Sequence, residues 1–399
     1  MALPLLTVDT VAEYVRELRL FPPDDSLVAT EITGGTLNFA FRVTGLASSL
    51  FVKQTPGFIK VLGPTAKLSD HRLLIERGAY AAWENALTSS EPETLACLPR
   101  ILNFDEDRMI MVMEDLRFYL PLQDQLESGV VSVIVAHKIG CFLGCVHGKT
   151  HSALVSENMK KHFTFKFANQ ELRQLQLDQF FTQPYQKAKG AAPLRSDAEF
   201  MEAIDELKAK YRGDILDNLS LCHGDFHSGS VMVEQHKVGS SDSVASDDSD
   251  ISVKVIDPEF AIYGPPGLDL GCIISGYVLA CVHCAVMGVE SEQIRLFHSA
   301  VAAVWEAYKS AICATDVPEV NLKSISSDAV GFAGCEIARN ALHGLSISDQ
   351  HKKMVADEAA LALAVKFVKG RAHGVDELLV TFEGFCRHGI SSWLSQCRK

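Results

Sequence analysis

The sequence predicts an α+β fold in which strands and one helix fill about the first 115 residues and helices dominate beyond them. Three observations carry this. Leu37, Phe39, Phe41 and Val43 alternate behind a glycine pair; two further apolar runs, Leu98 to Phe104 and Met109 to Met113, read as strands; and Ile139, Phe142, Leu143 and Val146 open a helical period.

Ile32 to Val43 (ITGGTLNFAFRV) and the run Leu50 to Val52, which ends in Lys53, are separated by the polar break Thr44 to Ser49, giving a glycine-rich hairpin and a third strand. From Leu68 to Leu87 the pattern turns helical, with Asp70 as the cap and Leu73, Leu74, Arg77 and Tyr80 at turn-like spacing. The strand Met109 to Met113 closes with Glu114, Asp115 and Leu116. At 239–252 a Ser- and Asp-rich insert reads as a solvated, mobile loop joining two short strands, with a phosphorylatable regulatory segment as the alternative.

The 399 residues and 47% hydrophobic content allow more than one sizeable core. With 37 Lys and Arg against 50 Asp and Glu, the net charge of −13 argues against a nucleic-acid or anionic-membrane partner. No basic leader precedes the first apolar run, which points to the cytoplasm. Eleven scattered cysteines read as free thiols. Cys281 and Cys284 lack the second pair a zinc site requires, and His147 with His151 lacks the glutamate of a metalloprotease helix, so the first pair is assigned to the core and the second to a helix end. Gly271 to Val289 is nearly long enough to span a bilayer, but its Ser275, His283 and glycines favour a buried helix.

The strongest local signal is Leu221 to Val233 (LCHGDFHSGSVMV). Asp225 stands where a kinase catalytic loop holds the carboxylate that orients or deprotonates the attacking hydroxyl, and Ser230 stands where such loops carry a metal-binding Asn. Downstream, the strand Val253 to Ile256 delivers Asp257 and Glu259, a carboxylate pair suited to Mg²⁺. Lys53 fits a lysine that holds nucleotide phosphates, with Glu76 as its carboxylate partner and Glu84 as the fallback; the alternative is a solubilising edge lysine. Gly34 and Gly35 would let backbone amides approach phosphate, although a Gly-Gly turn is also an ordinary hairpin. Met113, Glu114 and Asp115 suit a hinge whose backbone meets adenine, or equally a buried strand reaching solvent.

At these residues the chain resembles the aminoglycoside phosphotransferase and choline kinase superfamily, and within it the methylthioribose kinase family. HGDFHSGSVMV is similar to that family's HGDLHTGS loop, VIDPEFAIYGPPGLDLG to its DPEF-x-x-YGP segment, and GGTLNFAFRV to its glycine loop with Leu-Asn before the aromatic. The likeness runs from TVDTVAEYV to about Ser346. It implies a two-lobed protein-kinase-like fold, with 1–115 a nucleotide-binding lobe and 116–399 a catalytic and substrate-binding lobe. It also implies ATP and Mg²⁺ as cofactors, a small-molecule acceptor and a homodimer. The reaction it implies is transfer of the γ-phosphate to the 1-hydroxyl of 5-methylthioribose in methionine salvage.

By that resemblance Asp225 is the base and hydroxyl anchor, and Asp257 and Glu259 are the Mg²⁺ carboxylates. His223, Ser230 and Asp269 support them; Gly34, Gly35, Asn38, Lys53, Glu76, Glu114, Asp115 and Leu116 meet the nucleotide; Arg339 and Asn340 meet the sugar. Asn340 replaces the second of the family's paired arginines, and Gly63 to Lys67 (GPTAK) lacks the family's lid tryptophan. Asp269 follows Asp257 by only twelve positions, too few for a protein kinase's activation loop. Kinases of choline or ethanolamine, homoserine, aminoglycosides or other sugars remain the alternatives, followed by a non-catalytic nucleotide-binding scaffold.

Overall fold

The computed structural model describes residues 4–87, 91–235 and 251–397, so the insert expected at 239–252 lies outside the described residues except for its last two positions. Helix α1 (Val8–Glu17) precedes strands β1 (Val28–Glu31), β2 (Phe39–Thr44) and β3 (Ser49–Gln54), then helices α2 (Arg72–Ala86) and α3 (Pro92–Ala96) and strands β4 (Ile101–Asp105) and β5 (Ile110–Glu114). The five strands form one antiparallel sheet in the order β1-β2-β3-β5-β4.

Side chains alternate across a strand, and here the two faces have separate partners. Phe41, Val43, Leu50, Val52, Ile110 and Val112 pack with Val11, Tyr14 and Val15 of α1. Met111 and Met113 face the other way, into the core shared with Leu73, Tyr80 and Trp83 of α2. The two-sided burial of β5 explains its unbroken apolar run. Lys53 alternates with Leu50 and Val52, so it projects to the α2 side.

Two details differ from the sequence reading. Asp70 does not cap α2 through its carboxylate. His71 occupies the cap in helical backbone (φ −58°, ψ −12°), and Asp70 contributes only its carbonyl, to the Leu73 amide at 3.1 Å. The run beginning at Leu98 enters the sheet only at Ile101, because the Leu98 amide still donates to Leu95 O (3.0 Å) as the chain leaves α3.

After β6 (Tyr119–Pro121) the chain is mainly helical: α4 (Leu122–Glu127), α5 (Val133–Lys149), α6 (Glu157–Lys166), α7 (Gln170–Phe181), α8 (Gln183–Lys187), α9 (Ala192–Ser196) and α10 (Ala198–Arg212). Short strands β7 (Ser220–Cys222), β8 (Val231–Glu234), β9 (Val253–Val255) and β10 (Ile262–Gly264) interrupt it before α11 (Gly267–Met287), α12 (Ser291–Cys313), α13 (Glu319–His343), α14 (Gln350–Gly370) and α15 (Gly374–Cys397). The result is a two-lobed protein-kinase-like fold, an antiparallel-sheet lobe followed by a predominantly helical one.

Helix α11 is the one helix among the described residues long and apolar enough to cross a membrane, yet its apolar residues from Leu268 to Cys284 are spent in the large core. All eleven cysteines are free, and Cys281 lies 3.8 Å from Cys386, sulfur to sulfur, between α11 and α15. Gly140 and Gly144 of α5 lie so close to α12 that a Cβ at Gly144 would stand 2.6 Å from Tyr308 O. This close approach brings His147 to the Tyr308 hydroxyl at 3.3 Å.

Candidate active site

The two polar loops singled out in the sequence are brought together by paired strands. The Asp225 loop runs from β7 to β8, and the Asp257 loop from β9 to β10; β7 pairs with β10 (Leu221 opposite Tyr263) and β8 with β9 (Val231 opposite Val255), all antiparallel. Each loop is thus held at both ends beside the other. The Ile256 amide donates to Ser230 O at 2.9 Å between them.

Above these loops a cleft of about 770 Å³ opens between the lobes, and Gly34, Gly35, Asn38, Lys53, Glu76, Glu114, Asp115, Leu116, Asp225, Asp257 and Glu259 all line it. Lys53 is its cationic centre, with Nζ 2.6 Å from Glu76 and in contact with Asp257 Oδ1. Burial disfavours the ammonium, but Asp257, Glu76 and Glu259 outweigh it and hold the Lys53 pKa above the ordinary lysine value. Burial also pushes the Asp257 carboxyl up, and Lys53 more than reverses this, leaving it below the usual aspartate range. Glu84 has no part in this arrangement; the helical spacing places Glu76 instead.

Asp257 adopts left-handed backbone (φ 68°), which aspartate tolerates better than most residues, and its amide donates to the Tyr80 hydroxyl at 3.2 Å. Glu259 is 5% exposed and accepts from Asn38 Nδ2 at 3.0 Å, with the Arg72 guanidinium at 3.3 Å. Burial raises the Glu259 pKa, and the neighbouring Asp257 charge adds to the rise. Two carboxylates made to share one wall are hard oxygen donors that a divalent cation would relieve of mutual repulsion, so the residues present fit Mg²⁺.

Asp225 is held in place by its backbone. Asp269, with no exposed surface, accepts from the amides of His223 (2.6 Å) and Gly224 (2.9 Å) and from His147 Nε2 (3.1 Å). Buried His223 bonds Ile256 O at 2.9 Å and stacks on Trp83, and the Ser230 hydroxyl donates to Asp225 O at 3.0 Å. Ser230 therefore braces the loop and does not line the cleft. Burial raises the Asp225 pKa, His227 draws it back, and Glu336 adds to the rise. At Gly224 the backbone is left-handed (φ 86°), and a Cβ would stand 2.0 Å from Phe260 O. Gly224→Ala should therefore cost roughly 2 kcal/mol or more of stability and move Asp225, seen as a lowered melting temperature together with lost turnover.

The two acidic side chains of the segment expected as a hinge are engaged elsewhere: Glu114 with the Arg100 amide (3.0 Å) and Lys254 (2.7 Å), Asp115 with Arg42 (2.8 Å). Met113 and Leu116 of the same segment line the cleft. A second cavity of about 390 Å³ lies beyond Asp225. Glu336, Arg339 and Asn340 of α13 line it with Gln123, Ser275 and His283, and Leu126, Leu279 and Leu345 supply apolar wall. Arg339 pairs with Glu336 (Nε to Oε2, 2.9 Å) and lies over the Phe180 ring at 4.5 Å, and Asn340 Nδ2 donates to Glu336 Oε1 at 2.9 Å. None of the residues 63–67 lines either cavity.

Arg72 and Asn169 carry no signal in the sequence, while Tyr80 reads only as helical spacing and His147 only as a helix end. Asn169 Nδ2 donates to Glu259 O (2.9 Å) and Ala261 O (3.2 Å), fixing the Asp257 loop from α7. His147 lies in the last turn of α5, at the helix end expected of it, but turns inward to Asp269. The only forewarning was an ionisable residue inside an apolar helix.

Fold and cleft together define a protein-kinase-like phosphotransferase. Residues 28–281 match the phosphotransferase enzyme family, to which the chain belongs; it is an ATP-dependent small-molecule kinase of the aminoglycoside phosphotransferase and choline kinase superfamily. The chain is 27% identical to a methylthioribose kinase of Bacillus thuringiensis subsp. konkukian over 93% of its own length and 94% of that protein's. It is 28% identical to a methylthioribose kinase of Exiguobacterium sibiricum, over 93% and 95%. Among solved structures it is similar to a glucosamine kinase in complex with glucosamine, ADP and inorganic phosphate (TM-score 0.47, 15% identity, covering 94% of this chain and 84% of the other).

Proposed function

We propose that the protein transfers the γ-phosphate of ATP to the 1-hydroxyl of 5-methylthioribose, working in methionine salvage as a cytoplasmic homodimer. The observation that carries this reading is the convergence of Lys53, Asp225, Asp257 and Glu259 on one cleft that adjoins a second, sugar-sized cavity. Similarity to methylthioribose kinases along nearly the whole chain supports the choice of acceptor.

In this mechanism Lys53 steadies the α- and β-phosphates, and the amides of the Gly34–Gly35 turn close over them. Gly34 has φ 128°, a conformation that favours glycine. Asp257 and Glu259 would hold Mg²⁺, which supplies charge neutralisation on the phosphates when bound. Asp225 orients the acceptor hydroxyl and takes its proton.

The second cavity favours a neutral polyol. Glu336 spends its charge on Arg339 and the exposed Glu127 accepts from Gln123 Nε2 at 2.8 Å, leaving amide, hydroxyl and imidazole groups for sugar hydroxyls and a leucine-lined wall for a methylthio group. ADP release should therefore be measured with methylthioribose, choline, ethanolamine, homoserine and an aminoglycoside, with and without Mg²⁺. Turnover is expected with methylthioribose only and should vanish on chelation; turnover confined to a non-sugar acceptor would overturn the assignment.

A further inference from the structure

Among the described residues His227 alone lines both cavities. Its Nδ1 stands 2.9 Å from the Gly229 amide, which donates to it, so the neutral ring carries its proton on Nε2. Nε2 stands 3.8 Å from Oδ2 of the Asp225 carboxylate. The side chain is 46% exposed, so the N–H is free to meet a ligand. Gly229 is matched to this ring: a Cβ there would lie 2.7 Å from Cε1 and 2.9 Å from Nδ1.

We infer that His227 is a catalytic residue, whose Nε2–H donates to an oxygen of the phosphoryl group as it passes from the nucleotide cleft to the acceptor cavity. The bond from the γ-phosphorus to the bridging oxygen breaks, and the electron pair leaves with ADP. A bond forms from that phosphorus to the acceptor oxygen, whose proton goes to Asp225. His227 keeps its own proton throughout. A fixed donor aimed where charge develops is the kind of group whose removal lowers kcat and spares KM.

This inference rests on the cleft being the phosphoryl-transfer site, but not on methylthioribose being the acceptor. The test uses the full chain with Mg²⁺ and ATP, measuring ADP release to methylthioribose and, separately, the slow release with water as acceptor. His227→Ala should lower kcat by about 100-fold in both assays, with KM for ATP within about threefold of the parent. Added imidazole should restore turnover in a saturable way, and His227→Gln, which keeps an N–H donor, should recover at least about tenfold.

A kcat for His227→Ala within about threefold of the parent, or a loss confined to KM for the acceptor, would overturn the inference. So would a loss that neither imidazole nor glutamine repairs. Nucleotide affinity and melting temperature of both variants separate this from misfolding. If the unmodified protein ignores methylthioribose, the acceptor assignment fails, while the water reaction still decides the role of His227.

Discussion

Asp225→Asn is expected to lower phosphoryl transfer by roughly 10³-fold while nucleotide binding persists, because the exchange removes the proton acceptor and leaves its surroundings intact. The loop is positioned by its backbone: Asp269 holds the His223 and Gly224 amides, and the Ser230 hydroxyl holds Asp225 O. None of these bonds uses the Asp225 carboxylate. Its raised pKa also sets a pH dependence. A base must be ionised, so kcat/KM should fall as pH drops through a value above the ordinary aspartate range. Single-turnover kinetics, a pH–rate profile and calorimetric ATP binding check this. Unchanged turnover in Asp225→Asn, or an acid limb below the ordinary range, contradicts the assigned role.

The fold and the centre of the site were legible because their signals are local. Period-two alternation marked β2, and short apolar runs marked β3 and β5. HGD and DPE each lie next to a short apolar strand, so their carboxylates are delivered by segments recognisable on their own. Glu76 was reachable from helical spacing. What stayed hidden depends on distant partners: His147 is informative only once α5 is laid beside α11 and α12, bringing Asp269 and Tyr308 to its two nitrogens. The mostly exposed β1 has no apolar alternation to reveal it. The Asp70 cap was misread because capping depends on the backbone of the preceding turn, which composition does not fix.

Arg72 is the fullest example of a residue whose role lies in tertiary structure, and replacing it should have the largest effect on stability. It is 2% exposed, and its guanidinium donates to Asn38 Oδ1 (2.9 Å), Leu37 O (3.0 Å), Pro56 O (3.0 Å) and Ser69 O (2.7 Å) while standing 3.3 Å from Glu259. One side chain thereby ties the glycine-loop strand and the start of α2 to the carboxylate of the opposite lobe. Arg72→Met would leave buried Glu259 without its ion-pair partner, with the charge of Lys53 still nearby, and several carbonyls without donors. The expected loss is about 3–5 kcal/mol, read as a lower denaturation midpoint. Because much of that cost is the stranded carboxylate, adding Glu259→Gln should restore part of the stability without restoring activity. If the double variant is no more stable than Arg72→Met alone, the ion pair is not what couples the lobes, and the carbonyl contacts of Arg72 carry the effect.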